Sequence, residues 1–118
     1  MMDAFAPGTP VVLYLHSPRE KMFGLLASVD AAGIALRGID LVAFDDWLRQ
    51  EARGEEPGLG LVTLFLPMHR VEKLERDETV GGLEGFADRF LRETGRRFEE
   101  VATFDAADGP ASTRRRPR

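Results

Sequence analysis

Phe23-Gly24-Leu25-Leu26-Ala27-Ser28-Val29-Asp30-Ala31-Ala32-Gly33-Ile34-Ala35-Leu36-Arg37-Gly38, residues 23–38, is the stretch whose reading decides the fold. It holds two short apolar runs around a turn. In the first, Met22, Leu26 and Ser28 alternate with Phe23, Leu25, Ala27 and Val29, the period of a strand. Gly24 interrupts that run. An interior glycine sacrifices packing but lets a short sheet bend sharply, so Gly24 is the expected bend. Asp30-Ala31-Ala32-Gly33 supplies the reversal, because an Asp side chain bonds nearby backbone and glycine accepts positive φ. A third strand is expected over Ile34 to Leu41.

Upstream, Pro7-Gly8-Thr9-Pro10 is a turn cluster, and Pro10 biases Thr9 away from helix, so the ordered unit is expected to begin at Val11. Val11, Leu13 and Leu15 share one strand face and Val12, Tyr14 and His16 the other, with Ser17-Pro18-Arg19 as the turn. Downstream of Asp40 the period changes to that of a helix. Leu41, Phe44, Trp47 and Leu48 share one face, Asp40 is placed to cap the start and Gly54 to end it. Phe44 and Trp47 read as core rather than as a binding groove.

Leu59 to Leu66 reads as a strand apolar on both faces, which is either interior or paired across a subunit boundary. Pro67 ends it, Met68-His69-Arg70 turns, and Val71 to Leu74 forms a short last strand. Leu83, Phe86, Ala87, Phe90 and Leu91 then repeat at helical spacing, with Gly95 as the stop. Phe98, Val101 and Phe104 are expected to dock as a further turn. The expected organisation is therefore an extension at 1–10, a strand unit at 11–78 with a helical insertion at 41–58, a helical segment at 79–104 and a disordered basic tail at 105–118.

The 118 residues hold sixteen Lys and Arg against twenty Asp and Glu, for a net charge of -4. Four of the bases are Arg114, Arg115, Arg116 and Arg118, so residues 1–113 carry twelve bases against twenty acids, or -8. A body this acidic disfavours general nucleic-acid binding and leaves only a local patch or the tail for it. The absence of cysteine removes disulfides and thiolate chemistry and fits a reducing compartment. With no apolar run near the length of a membrane span and no basic leader, a cytoplasmic protein without membrane contact is expected.

Catalytic signatures are missing. The pairs Asp45-Asp46, Glu55-Glu56 and Glu99-Glu100 read as solvated faces, because adjacent helical residues point about 100° apart. The two histidines stand 53 positions apart and make no zinc signature. Gly81-Gly82-Leu83-Glu84-Gly85 lacks the lysine of a phosphate loop. No catalytic residue, metal or cofactor is expected, and the chain does not read as an enzyme.

The order strand, bent strand, strand, insertion, long strand, short strand resembles the Sm-like (LSm/Hfq-like) family of small β-barrels. Val12-Leu13-Tyr14-Leu15 resembles its first strand, Phe23-Gly24-Leu25-Leu26-Ala27-Ser28-Val29-Asp30 its bent second strand, Ile34-Ala35-Leu36-Arg37 its third, and Met68-His69-Arg70-Val71-Glu72-Lys73-Leu74 its last turn and strand. The resemblance implies a mostly β fold with α additions: a strongly bent five-stranded antiparallel barrel, SH3-like/Sm-like, with a helix inserted between strands 3 and 4 and an amphipathic C-terminal helix.

It also implies a homo-oligomer joined through Leu61 to Leu66 and Val71 to Leu74. Single-stranded RNA would be held at a loop rim by Asp30, Gly33, Arg37, Gly38, His69 and Arg70. The plainer reading makes Arg37 a solvated strand charge and leaves His69 and Arg70 as turn decoration. The chain departs from the family in the 41–58 insertion, in Gly33-Ile34 where an Asn is usual, and in Met68 where a basic residue precedes the histidine. An alternative is therefore a protein-interaction or assembly scaffold that docks a protein partner on the inserted or C-terminal helix.

Overall fold

Five strands pair antiparallel in the computed structural model, which describes residues 3–55 and 58–102: β1 (Pro10–Leu15), β2 (Glu20–Val29), β3 (Gly33–Asp40), β4 (Val62–Pro67) and β5 (Val71–Arg76). Their order across the sheet is β4-β3-β2-β1-β5. Helix α1 (Leu41–Arg53) joins β3 to β4, and α2 (Phe86–Thr94) and α3 (Phe98–Ala102) follow the sheet. The fold is thus mostly β with helical additions. No ladder joins β4 to β5 among the described residues, so both are edges. No helix among the described residues is long and apolar enough to cross a membrane. The expected tail at 105–118, and Phe104 before it, lie outside the described residues.

The sheet is curled, and hydrogen bonds of the short 68–70 turn show how far. Met68 N–H donates to the Ala32 carbonyl at 3.0 Å, while the Arg70 carbonyl accepts from His16 N–H at 3.0 Å. His16 and Ala32 lie in the turns at opposite ends of β2, whose ten residues would span roughly 33 Å if straight. Three residues reach at most about 11 Å. The two ends of β2 are therefore folded toward one another.

Gly24 is where the chain allows it. Gly24 lies opposite Gly38 on β3, and a Cβ on Gly24 would stand 2.3 Å from the Arg37 carbonyl oxygen. A Cβ on Gly38 would stand 2.2 Å from the Phe23 carbonyl oxygen. The two backbones approach so closely that neither position has room for a side chain.

Alternation divides the apolar residues into two layers. Val11, Leu13, Leu15, Met22, Leu26, Ile34, Leu36 and Leu66 fill the inside of the curl, with Leu64, Val71 and Leu74 against them. Val12, Phe23, Leu25 and Ile39 face the other way, under Phe44, Trp47 and Leu48 of α1, Phe90 of α2, and Phe98 and Ala102 of α3. Phe23 is central to that second layer, its ring 4.5 Å from Phe98 and 5.5 Å from Phe44. The aromatic pair of the insertion, Phe44 and Trp47, is core, as its helical spacing predicts.

The register changes between Leu26 and Ser28, where two residues of β2 oppose one of β3. This bulge corrects the expected alternation. Ser28 pairs with Ala35 and Val29 with Ile34, so the last residues of β2 exchange faces.

Helix α1 starts and stops as its sequence predicts: Asp40 Oδ1 accepts from Val42 N–H at 2.8 Å, and Gly54 closes the helix at φ 65°. Gln50, buried on α1, accepts from Gly58 and Leu59 N–H at 2.8 and 3.0 Å and donates to the Leu59 carbonyl at 2.8 Å, which pins the connection into β4. The strand expected from Leu59 begins only at Val62 for this reason.

Leu83 is a second correction. It does not belong to the helical stripe: it pairs with Val80 across the Gly81-Gly82 turn and is 77% exposed, and α2 begins three residues later. The cap comes from far upstream. Asp77 accepts from Phe86 and Ala87 N–H, both at 2.8 Å, because the N-cap residue Gly85 has no side chain of its own. Burial raises the Asp77 pKa above its ordinary 3.8, and the two backbone donors offset that only in part.

Asp77→Ala is expected to cost about 1–2 kcal/mol, the usual worth of a cap. A raised native pKa means the native state holds this proton more tightly than the unfolded chain does. Its contribution is therefore complete below about 3.8 and is lost as pH rises through the raised native value. Urea melts across this range should show the deficit of the variant shrinking as pH increases.

Candidate functional site

The curl gathers three turns onto one rim: 16–19 between β1 and β2, 30–33 between β2 and β3, and 68–70 between β4 and β5. The middle turn is built by Asp30, whose Oδ1 accepts from Ala32 N–H at 2.9 Å and Gly33 N–H at 3.3 Å. Gly33 is required there because a Cβ would stand 2.3 Å from the Leu66 carbonyl oxygen. Met68 N–H closes the gap to this turn through the Ala32 carbonyl.

Of the six residues expected at the rim, four arrive. Asp30 and Gly33 form the middle turn, and His69 and Arg70 the third. His69 is exposed, and its side chain makes no polar contact among the described residues. Arg70 is at the rim but turned inward. Its Nη2 donates to the Pro18 carbonyl at 2.7 Å and to Glu20 Oε1 at 3.0 Å, and its Nε to the His16 carbonyl at 3.2 Å. Its guanidinium braces the first turn, so a phosphate would have to displace these partners.

Arg37 and Gly38 are not rim residues. Both lie within β3, with Arg37 paired in register to Leu25 and Thr63 and its Nη1 donating to Thr63 Oγ1 at 3.3 Å. Arg37 is four residues beyond Gly33, or roughly 13 Å along an extended strand. Gly38 serves the close approach to Gly24. The resemblance implied a loop there, whereas both lie inside the strand expected over Ile34 to Leu41, and the glycine marks contact between strands.

His16 is the rim residue that strand periodicity concealed. It follows β1 directly, is exposed, and lies within 3.3 Å of Ser17 Oγ through Nδ1. Its N–H bond to Arg70 puts it beside the 68–70 turn, so the curl brings both histidines of the chain to one rim. Nothing in the spacing of 53 residues signals this; only the closing of the sheet does.

On either side of the rim runs an open edge. The β4 edge is uncharged, and Phe65 and Val62 on it are 57% and 47% exposed. The β5 edge carries Glu72, Lys73 and Glu75. A shallow apolar groove of about 440 Å³, lined by Phe5, Pro7, Ser28, Val29 and Leu74, lies on the inner side between the end of β2 and β5. Phe44 and Trp47 of α1 and Phe90 of α2 are each 1% exposed or less and lie in the core, whereas Val42 and Leu91 on the same two helices are 91% and 45% exposed.

No family model matches this chain, and no curated protein or solved structure matches it.

Proposed function

We propose that this chain is an Sm-like barrel module that assembles with copies of itself through its open sheet edges and offers its turn rim to single-stranded RNA. The observation that carries the reading is the convergence of three turns on one rim, with exposed His16 and His69, between two open sheet edges of which one is uncharged and apolar. An uncharged edge with an exposed phenylalanine is a liability in a monomer and an asset when another strand covers it. Imidazole rings stack on unpaired bases and donate hydrogen bonds to them, which suits a single strand better than a duplex.

Two measurements test the two halves. Phe65→Lys is expected to shift the chain from oligomer to monomer in light scattering at micromolar concentration, with its circular dichroism spectrum retained because the side chain is exposed on the single chain. A wild-type chain that is monomeric at that concentration refutes the assembly. For RNA, the double variant His16→Ala, His69→Ala is expected to weaken binding of oligo(U) or oligo(A) by about tenfold or more at low salt, two stacking contacts being lost. Equal binding by the variant removes the rim from the account.

A protein-interaction scaffold is the second reading, and the feature that favours it is the Val80–Leu83 turn. Val80 and Leu83 exchange backbone bonds at 2.9 and 3.0 Å and present 65% and 77% of their surfaces to solvent. The loop is braced from behind by Thr79 on Asp88 and by the two bonds of Arg92 to Glu84, each 2.8 Å. In that case the histidine double variant keeps its partner while Leu83→Ser loses it.

A further inference from the structure

The outer face of the sheet beside the rim carries a cluster that neither reading uses. Tyr14 lies directly opposite Lys21 on β2 and Lys73 on β5, so the three side chains form one row across three strands. The Lys21 and Lys73 ammonium groups stand 5.5 and 4.5 Å from the centre of the Tyr14 ring. The ring is fixed from its far end by a 2.9 Å bond from the Tyr14 hydroxyl to Glu75, which also pairs with Lys73 at 3.2 Å. Row and turn together border a depression of about 410 Å³ that also includes Leu15, Arg19, Glu20 and Glu72.

Not all of its cations are held in ion pairs. Glu20 is matched by Arg70 at 3.0 Å, and Glu75 by Lys73. Arg19 and Lys21 have no carboxylate within ion-pair distance among the described residues, and Glu72 on one side and Asp40 on the other are the unmatched acids beside them. On an acidic protein this gathers three cations, Arg19, Lys21 and Lys73, beside a clamped aromatic ring.

We propose that this depression binds a nucleotide unit, with Tyr14 as the stacking ring for the base and Arg19, Lys21 and Lys73 as the phosphate ligands. An aromatic face with cations beside it is the combination that holds a base and its phosphate together. The two lysines have long flexible stems, so a phosphate that draws their ammonium groups outward uncovers the ring for the base. The hydrogen bond and charge of Glu75 hold Lys73 protonated above its ordinary range, and burial raises the Tyr14 phenol, so the site keeps its cation and its neutral ring at physiological pH. The site is separate from the histidines of the rim, and its ligand is either a free nucleotide or one unit of a strand.

Tyr14 is the only tyrosine, so its ring resonances report on this site alone. Adenosine monophosphate and a twelve-residue oligo(U) are titrated separately at about 50 mM salt, where phosphate contacts are strongest. Saturable movement of the Tyr14 signals by the mononucleotide identifies a free nucleotide as ligand; movement by the oligonucleotide alone identifies a strand. In either case Lys21→Gln with Lys73→Gln is expected to weaken binding about tenfold or more, with unchanged melting because both lysines are exposed. The proposal is overturned if neither compound moves the Tyr14 signals at millimolar concentration, or if the lysine double variant binds as well as wild type.

Discussion

Gly24→Ala and Gly38→Ala are each expected to lower stability by about 3 kcal/mol, at the upper end of what overpacking costs. The added methyl in either variant would lie within 2.3 Å of a carbonyl oxygen of the facing strand. A flexible side chain would swing away from such an intrusion, but a paired backbone can yield only by separating the strands. Each change therefore breaks the β2–β3 ladder or straightens β2, and straightening withdraws the 16–19 and 30–33 turns from the 68–70 turn. Gly60→Ala is the matched control, since a Cβ there meets nothing within 4 Å, and it should stay within about 0.5 kcal/mol of wild type. Urea denaturation followed by circular dichroism measures all three. If Gly24→Ala melts like Gly60→Ala, the close approach of β2 and β3 is wrong.

Trp47→Ala is expected to cost about 3–5 kcal/mol, the range for emptying a large aromatic site. The indole is 1% exposed, stacks on Phe90 at 5.1 Å, and meets Phe98 edge-on at 6.1 Å. It thus joins all three helices into one layer over Phe23. A domain of this size has about 5–15 kcal/mol in total, so the variant should be largely unfolded at temperatures where wild type is native. Trp47→Phe keeps most of the ring contacts and should recover more than half of the loss. A surface role for Trp47 in docking a partner predicts the opposite, a small change in stability and a large one in binding.

Much of this architecture was legible in the chain because local rules agreed with the tertiary ones. Alternation in Val11–Leu15, the caps Asp40 and Gly54, and the Asp30–Gly33 turn each followed from residue chemistry and stood where expected. The errors arose where a distant part of the chain decides. Leu83 matched the helical stripe, yet the cap that starts α2 is Asp77, nine residues before Phe86. One extra residue at Ala27 reversed the faces of Ser28 and Val29, and alternation cannot register an insertion it has no partner strand to measure against.

The candidate site was harder to read than the fold for the same reason. Arg70 looked available to a phosphate until its three bonds across the first turn were seen, and all three cross more than 49 positions of sequence. His16 looked like an ordinary strand end because its rim neighbours come from the far side of the chain. Proximity produced by a curled sheet is not encoded in any window of the sequence.

The central claim is that β2 bends until the turns at its two ends border a common third turn. The chain has no cysteine, so Ser17→Cys and Ala32→Cys, each exposed in its turn, can carry a pair of spin labels without interference. Both turns hydrogen-bond to residues 68–70, which places the two backbones within about 20 Å of one another. A label separation in that range is the predicted result. A separation of about 33 Å or more, the length of a straight ten-residue strand, would contradict the account.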